Sequence, residues 1–294
     1  MTKQIHRYTC VFSTILLIAL STVLSAETAR AFPATGDSET RSVILSADGY
    51  AVRDEGKSLE AARRAACAEA RRKILEKARK YLDEVTRVDG VKLAVTLEKA
   101  ASKRFVSELE KKDYGIDEEG RYRVRLKGEV RYSLSNDETC REALLMPSAP
   151  LTIALWTDKR DYKEGETMTV FFRGNRDFYG KILLKDTAGT IVQVLPNNYR
   201  QISFFEKGKT YTVPGEGDRC DLRVHPPFGT ETIFVCASDA ALSLRNMKTI
   251  AGGVYRYRGR PQSFERSVRS GLPVLDNSPA EFYEATWVIV KKPG

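Results

Sequence analysis

Histidine, the side chain most often used as a general base or metal ligand near neutral pH, is scarce in this chain of 294 residues. Only His6 and His225 are present, and His6 lies close to the N terminus. His225 directly precedes Pro226-Pro227, and no Gly-x-Ser-x-Gly motif accompanies it. Beyond the N-terminal segment, a two-histidine metal site is therefore excluded within one chain, and a Ser-His-Asp triad is disfavoured.

Other catalytic signatures are missing as well. Gly215-Glu216-Gly217 lacks the strand-to-helix setting of a dinucleotide site. The acidic cluster of Asp113, Asp117, Glu118 and Glu119 does not have the spacing of a calcium loop. Paired carboxylates can lie far apart in sequence, so a carboxylate-dependent hydrolase stays an alternative. We predict a protein that is not an enzyme and that uses no metal and no cofactor.

Four cysteines follow the N-terminal segment, at positions 67, 140, 220 and 236, and none forms a Cys-x-x-Cys pair. Cys220 and Cys236 lie symmetrically about the bend at 226–229, in the arms of a predicted hairpin. We expect a disulfide between them, which would close a loop of about fifteen residues and stabilise the fold by roughly 3 kcal/mol. Cys67 reads as a small buried residue, and its pairing with Cys140 stays open.

Two basic zones are candidate contact surfaces. In 57–80, three glutamates each precede a cation by four residues, which is typical of an ordinary solvated helix face. The surplus there, including Arg71 and Arg72, could contact an acidic partner. In 245–269, seven cations stand against Glu265 alone. The predicted contact site combines rings and guanidinium groups after a flexible Gly252-Gly253, and consists of Tyr255, Arg256, Tyr257, Arg258 and Arg260.

The N-terminal segment has the three parts of a signal peptide. Lys3 and Arg7 form a basic head, Val11–Ala26 carries no charge, and cleavage is expected after Ala31 or, alternatively, Ala26. An uncleaved membrane anchor is the rival interpretation, because the apolar stretch is nearly long enough to span a bilayer. We predict a signal peptide at 1–31, export to the periplasm, possible peripheral attachment to the outer membrane and no transmembrane span after cleavage. The net charge of +9 then points to anionic envelope partners rather than nucleic acid.

The first half predicts a small helix-on-sheet domain at 42–134. A strand at Ser42–Ala47 ends in an Asp48-Gly49 turn, and a long helix with an alanine-rich stripe runs from Ser58 to Asp83. A weaker helix is expected at Val95–Arg104. A hairpin follows, and its second arm, Arg121–Leu134, alternates between a buried apolar face and a wet charged face.

The second half predicts an all-β, immunoglobulin-like sandwich at 151–292, after a linker at 135–150. Short apolar runs alternate with Gly, Asn, Asp and Pro turns, as in β-sandwiches. One run is Asp221–Val224, a short helix is expected at Ser263–Arg269, and a final strand at Glu284–Val290. The predicted fold class is therefore α+β, a small helix-on-sheet domain followed by a sandwich.

Each half also resembles a known family. Leu151–Asp239 resembles the bacterial domain of unknown function DUF4384, through Tyr162-Lys-Glu-Gly-Glu166, Asp177-Phe-Tyr179, Val194-Leu-Pro-Asn197 and Phe228-Gly-Thr-Glu231. The resemblance implies a β-sandwich in envelope or secreted proteins and no catalytic residues. The first half more loosely resembles the N-terminal domain of flagellar assembly protein T and of related outer-membrane lipoproteins. The shared pattern there is Ala47–Ala51, the Ala- and Arg-rich helix, and the closing strand Val124–Tyr132.

These features favour an exported, non-catalytic protein that binds or assembles part of the cell envelope. Its expected partner is an envelope protein or an anionic envelope polymer. A carbohydrate- or polymer-binding module is an alternative, with Tyr179, Tyr199 and Phe204 as an exposed platform. A carboxylate-dependent hydrolase is the second alternative.

Overall fold

The computed structural model describes residues 36–52, 58–100, 102–216, 218, 221–274 and 278–294. The predicted signal peptide lies outside them, and so does Cys220. The described chain is largely β-sheet. Its first half contains β1 (Ser38–Val52), α1 (Leu59–Val85), β2 (Arg87–Val88), β3 (Val91–Lys92), β4 (Val95–Leu97), β5 (Val106–Ile116), β6 (Arg121–Leu134) and α2 (Glu138–Ala143).

The second half contains mostly short strands and one further α-helix. These elements are β7 (Ile153–Thr157), β8 (Asp161–Lys163), β9 (Val170–Gly174), β10 (Phe178–Lys185), β11 (Ile191–Leu195), β12 (Phe204–Phe205), β13 (Tyr211–Val213), β14 (Gly229–Ser238), β15 (Met247–Thr249), β16 (Tyr255–Tyr257), α3 (Pro261–Ser270) and β17 (Ala280–Lys292).

One large sheet runs through both halves, in the order β15-β16-β11-β10-β14-β17-β1-β6-β4. Strands β5, β8 and β12 pair at its margins with β6, β17 and β10. The halves meet where Ser38–Ile44 of β1 pairs antiparallel with β17. The boundaries predicted at 134 and 151 stay a prediction, and strand pairing crosses between the two segments that they separate.

Alternation along the strands divides the core between the two faces of this sheet. Val43 and Leu45 of β1 pack against α1, whereas Ile44 packs on the opposite face with α3. A three-stranded sheet, β13-β9-β7, covers β10, β14 and β17 on the same face as α1. Helices α1 and α3 therefore lie on opposite faces of the large sheet.

The long predicted helix is confirmed. Ser58 caps α1, because its hydroxyl accepts a hydrogen bond from the Ala61 amide at 3.2 Å. Apart from Leu59, which is exposed, the predicted stripe is buried at Ala62, Ala66, Ala70, Ile74, Ala78 and Leu82. The helix approaches the sheet closely because most of these side chains are methyl groups.

The turn predicted at Asp48-Gly49 is wrong, because β1 continues through it to Val52. A Cβ on Gly49 would lie 1.9 Å from the Ala66 carbonyl oxygen and 2.6 Å from the Ala70 nitrogen. Gly49 is therefore needed for the close approach of α1 to the strand and not for a turn.

Other local predictions had mixed outcomes. The hairpin of β5 and β6, the short helix α3 and the last strand β17 are confirmed. The helix predicted at Val95–Arg104 is wrong, since Val95–Leu97 is strand β4. Asp221–Val224 is not a strand and makes only an isolated bridge from Arg223 to Thr167.

The wet face predicted for β6 is wrong at Lys127 and Glu129, which are 9% and 3% exposed. Helix α3 covers this part of the strand. Arg269 of α3, itself 2% exposed, lies between three carboxylates, with its Nε 2.9 Å from Glu129 Oε1 and its Nη1 3.0 Å from Glu265 Oε2. Its Nη2 lies 3.5 Å from Oε2 of Glu284 on β17. This cluster joins β6, α3 and β17.

A second buried charge cluster joins the halves on the other face. Arg41 of β1 donates to the Leu151 carbonyl oxygen at 2.8 Å and to the Thr152 hydroxyl at 3.0 Å. Nearby, Glu281 of β17 accepts from the Tyr81 hydroxyl of α1, from Arg176 at 2.6 Å and from the Leu151 amide at 2.8 Å. Polar contacts therefore fix the docking of the two halves on both faces of the sheet.

Candidate functional site

The predicted contact segment forms one margin of the large sheet. Strand β16 pairs with β11 and β15, so that Arg256 stands opposite both Val192 and Lys248. Alternation turns Tyr255 and Tyr257 towards the face that carries α3 and turns Arg256 and Lys248 away from it.

The two tyrosines differ in how deeply they are buried. Tyr257 is 7% exposed, and its ring packs edge-on against Phe264 of α3 with centroids 5.1 Å apart. It is therefore a core residue and drops out of the predicted contact surface. Tyr255 is half-buried, and its hydroxyl donates to Asn198 Oδ1 at 2.5 Å.

The flexible hinge expected at Gly252-Gly253 is instead a tight turn. Both glycines have positive φ, and Gly253 accepts a hydrogen bond from the Asn198 amide at 2.9 Å. A Cβ on Gly253 would lie 2.6 Å from the Tyr199 ring. The glycines thus anchor the segment against the loop at 197–200, and β16 has a fixed position.

Five exposed cations cluster at this margin, and we call them the basic edge: Arg245, Lys248, Arg256, Arg258 and Arg260. Across the described ranges, no carboxylate forms an ion pair with any of them. Exposed cations without a carboxylate neighbour keep their full charge and their hydrogen-bond donors available to a ligand.

An open groove of about 400 Å³ lies beside the basic edge, and we call it the edge groove. It is formed where the β10–β11 turn meets the end of β16, and its lining includes Gly189, Thr190, Arg256, Arg258 and Pro261. No Asp or Glu contributes to this lining. The arrangement suits a phosphate, sulfate or carboxylate group, which guanidinium groups bind through paired N–H donors.

Arg71 and Arg72 lie elsewhere, on α1, which packs on the other face of the sheet. Arg71 is paired with Glu108 at 2.9 Å and Arg72 with Glu76 at 2.6 Å. The structure therefore does not bring them together with β16, and both have carboxylate partners already.

A protective role of α1 was missed from the sequence. Beyond Ile44, strand β1 no longer pairs with β17. The backbone groups along that edge form hydrogen bonds with side chains of α1 instead. Glu69 accepts from the Tyr50 amide, Lys73 donates to the Asp48 carbonyl oxygen at 3.1 Å, and Lys77 donates to that of Ser46 at 3.4 Å. Charged side chains of α1, whose spacing suggested a solvated face, thus cover a free edge of β1.

Two carboxyl groups that lie close together are those of Asp239 and Glu281. Asp239 Oδ1 accepts from the Glu281 amide at 3.0 Å. Although Asp239 is partly open to solvent, desolvation of its carboxyl group and the charge of Glu281 raise its pKa to about 6. Glu281 itself is fully engaged by Tyr81, Arg176 and the Leu151 amide, so its contacts are those of a structural carboxylate.

The hairpin behind the predicted Cys220–Cys236 disulfide is wrong. The strand that carries Cys236 pairs with β10 and β17, so Cys236 stands between Lys181 and Glu284 in the middle of the sheet. It is a buried free thiol, and burial raises its pKa well above the ordinary range. Cys67 and Cys140 are buried free thiols as well.

The remaining candidates are on the surface. His225 is exposed, with its ring nitrogen Nδ1 2.8 Å from the Pro226 carbonyl oxygen. Of the aromatic platform, Tyr199 and Phe204 are exposed, and Phe204 contacts Tyr179 edge-on at 5.3 Å. Across the residues that the structure describes, no three His, Cys, Asp or Glu side chains converge as metal ligands.

Comparison with known proteins bears on the second half of the chain. The family model described as domain of unknown function (DUF4384) matches residues 161–241, which confirms the resemblance inferred for Leu151–Asp239. No curated protein and no solved structure matches the chain. None of the helices in the described ranges combines the length and apolar character that a membrane crossing needs.

Proposed function

We propose that the protein is an exported, non-catalytic component of a bacterial cell envelope that binds an anionic envelope polymer, or an acidic envelope protein, through its basic edge. The observation that carries this proposal is the cluster of five exposed cations beside the edge groove, none of which has a carboxylate partner in the described part of the chain. Surface charge is normally balanced by interspersed carboxylates, so an unbalanced cluster indicates a binding surface.

Sequence features support the envelope as the setting. The segment at 1–31 has the pattern of a signal peptide, which favours export and a periplasmic location. The first half, with α1 packed on β1 and β6, is consistent with the resemblance to the N-terminal domain of flagellar assembly protein T. The second half, in which a three-stranded sheet covers the large sheet, is consistent with an immunoglobulin-like sandwich.

The rigidity of the basic edge favours binding. Arg256 belongs to a paired strand, the Arg258 amide donates to the Asn246 carbonyl oxygen at 2.8 Å, and Arg260 directly precedes α3. The backbone that carries these guanidinium groups is therefore ordered before a ligand arrives, which lowers the entropy lost on binding.

The test is the binding of a sulfated or phosphorylated polymer to the triple variant Arg256→Ala, Arg258→Ala and Arg260→Ala. At roughly 0.5 kcal/mol for each lost contact, affinity should fall at least about tenfold. The matched control is Arg64→Ala, Arg79→Ala and Lys80→Ala, which removes the same charge from exposed positions of α1. Equal losses in both variants would mean that only net charge matters and would refute the assignment of the site.

A second candidate is a polymer-binding module that uses aromatic stacking. It is favoured by the exposure of Tyr199 and Phe204, which are 47% and 43% accessible. Phe204→Ala should then weaken binding of a neutral polysaccharide, whereas the triple arginine variant should leave it unchanged. For the hydrolase alternative, the edge groove contains no converging carboxylates. The same holds for a second groove, which lies where the segment after α3 crosses β5 and β6.

A further inference from the structure

We propose that the edge groove, where Arg258 and Pro261 lead into α3, is one end of a cationic track that follows this helix to a second groove, so that the natural ligand is an extended polyanion that contacts both grooves at once. This inference rests on the proposed function and adds the shape of the ligand to it.

The second groove, which we call the β6 groove, has a volume of about 340 Å³ and lies where the segment after α3 crosses β5 and β6. Four of its nine lining residues are cations, and its one carboxylate is that of Glu110. The cations are Lys111, Lys112, Arg125 and Lys127.

Lys127 lines this groove and positions the segment after α3. It is 9% exposed, and its ammonium group donates to the carbonyl oxygens of Ser270 and Leu272 at 2.6 and 2.5 Å. It thereby holds the end of α3 against β6. Burial lowers the pKa of Lys127, and the positive charge of Arg245 acts in the same direction.

Two lysines of the β6 groove, Lys111 and Lys112, are only loosely engaged. Lys111 lies 4.0 Å from Glu108. The amine of Lys112 stands 4.6 Å from the Tyr114 ring centroid, and it has no carboxylate partner among the residues that the structure describes. Strong charge-assisted hydrogen bonds are about 2.7–2.9 Å long. An anionic ligand group could therefore replace these contacts with shorter ones.

Helix α3 connects the two grooves. Its first residue, Pro261, lines the edge groove, and Leu272, just beyond its last turn, lines the β6 groove. Ten helical residues span about 15 Å, so the grooves lie on the order of 15–20 Å apart. A ligand that fills both must therefore be a chain and cannot be a single phosphate or carboxylate.

Arg245 lies on a loop that contacts the chain near both ends of α3. Next to it, the Asn246 carbonyl oxygen accepts from the Arg258 amide at 2.8 Å, which ties this loop to the segment before the helix. On the other side, the Ser243 carbonyl oxygen lies so close to Gly271 that a Cβ there would approach it to 2.2 Å. The loop at 243–246 thus joins the two ends of the proposed track.

The experiment compares sulfated oligosaccharides of two lengths, a disaccharide and a dodecasaccharide, as probes of the whole protein. Once one groove is occupied, contact with the other becomes intramolecular, so the longer probe should bind at least about tenfold more tightly for equal numbers of sulfates. The variant Lys111→Ala with Lys112→Ala should remove most of this advantage, because only the edge groove then holds the longer probe. The matched control is Arg79→Ala with Lys80→Ala, two exposed cations of α1.

The outcomes separate this inference from the function on which it rests. If both probes bind equally per sulfate, or if the β6-groove variant behaves as the control, the track is refuted while the basic edge can still bind. If neither probe binds the unmodified protein, the proposed function fails as well. Folding of each variant is checked by thermal unfolding, because Lys111 and Lys112 are exposed and their removal should not unfold the chain.

Discussion

Arg269→Met tests how strongly the buried charge cluster holds the two halves together. Methionine keeps the length of the apolar stem and removes the guanidinium group. The lost group is 2% exposed and neutralises Glu129, which is 3% exposed, together with Glu284 and Glu265. The variant therefore leaves buried carboxylates without their main cation, while little packing volume is lost.

The expected cost follows from the burial of both partners. Removing one member of a buried ion pair costs about 3–5 kcal/mol, whereas an exposed pair contributes about 0.2–1 kcal/mol. The contact between Arg269 Nε and Glu129 Oε1 is close but lacks hydrogen-bond geometry, which favours the lower end of the first range. We expect a loss of about 3 kcal/mol in the free energy of unfolding, a large part of the stability of an ordinary domain.

The loss should depend on pH. Burial raises the pKa of Glu284, and the charge of Arg269 opposes that rise. Without Arg269 the pKa in the folded state should be still higher, while the pKa in the unfolded state stays ordinary. A carboxyl group with a raised folded pKa destabilises the protein when it is ionised, so stability recovers as pH falls through that pKa. The difference between variant and parent should therefore shrink as the pH is lowered from neutral through the raised folded-state pKa of Glu284 towards the ordinary carboxyl pKa.

Urea unfolding at several pH values measures both effects. The control is Arg79→Met, at an exposed position of α1 with no carboxylate partner in the described part of the chain. Adding Glu129→Gln and Glu284→Gln to the Arg269 variant should restore part of the stability. A loss within about 1 kcal/mol of the control, or a loss that stays constant with pH, would refute the reasoning.

Two further predictions concern α1 and β1. Lys73→Met with Lys77→Met should cost less than about 1 kcal/mol, yet should increase self-association in sedimentation experiments, because the free edge of β1 loses the charged groups that bond its carbonyl oxygens. Arg79→Met with Lys80→Met is the control, and equal association in both would contradict the protective role. Gly49→Ala should destabilise the fold by about 1–3 kcal/mol in urea unfolding, because the new methyl group collides with Ala66 of α1; an unchanged midpoint would show that α1 can shift without cost.

Local patterns in the sequence predicted the elements that rest on local interactions. The alanine stripe and the Ser58 cap predicted α1, with an end two residues before the observed one at Val85. Period-two alternation predicted β6. Both signals depend on side chains a few residues apart. The turn predicted at Asp48-Gly49 was wrong because the same dipeptide occurs both in tight turns and where a helix approaches a strand closely. Only the position of α1 distinguishes these two cases.

Pairing between distant strands could not be predicted in this way. Nothing local indicates that β1 pairs with β17, or that β14 lies between β10 and β17. The hairpin proposed for Cys220 and Cys236 failed for this reason. The wet face of β6 was misread for the same reason, since Glu129 is buried only because α3, far along the chain, covers it.

The candidate site was predicted only in part. Composition alone located the surplus of cations at 245–269, and the structure places Arg256, Arg258 and Arg260 on the surface. The β6 groove was missed, since Arg125 and Lys127 of β6 were assigned to an ordinary wet strand face and its other cations come from β5. A groove formed by four separate segments has no signature in any one of them.

The buried charges and the cationic track are connected through α3. Arg269 joins this helix to Glu129 of β6 and Glu284 of β17, and Lys127 fixes the segment that follows it. The same helix sets the separation of the edge groove and the β6 groove. A buried ion cluster contributes less to stability than well-packed apolar groups do, but it strongly disfavours any docking that leaves its charges unpaired. Its role here is therefore to keep the two grooves at a fixed distance, which a chain-like ligand requires if it is to contact both without further ordering of the protein.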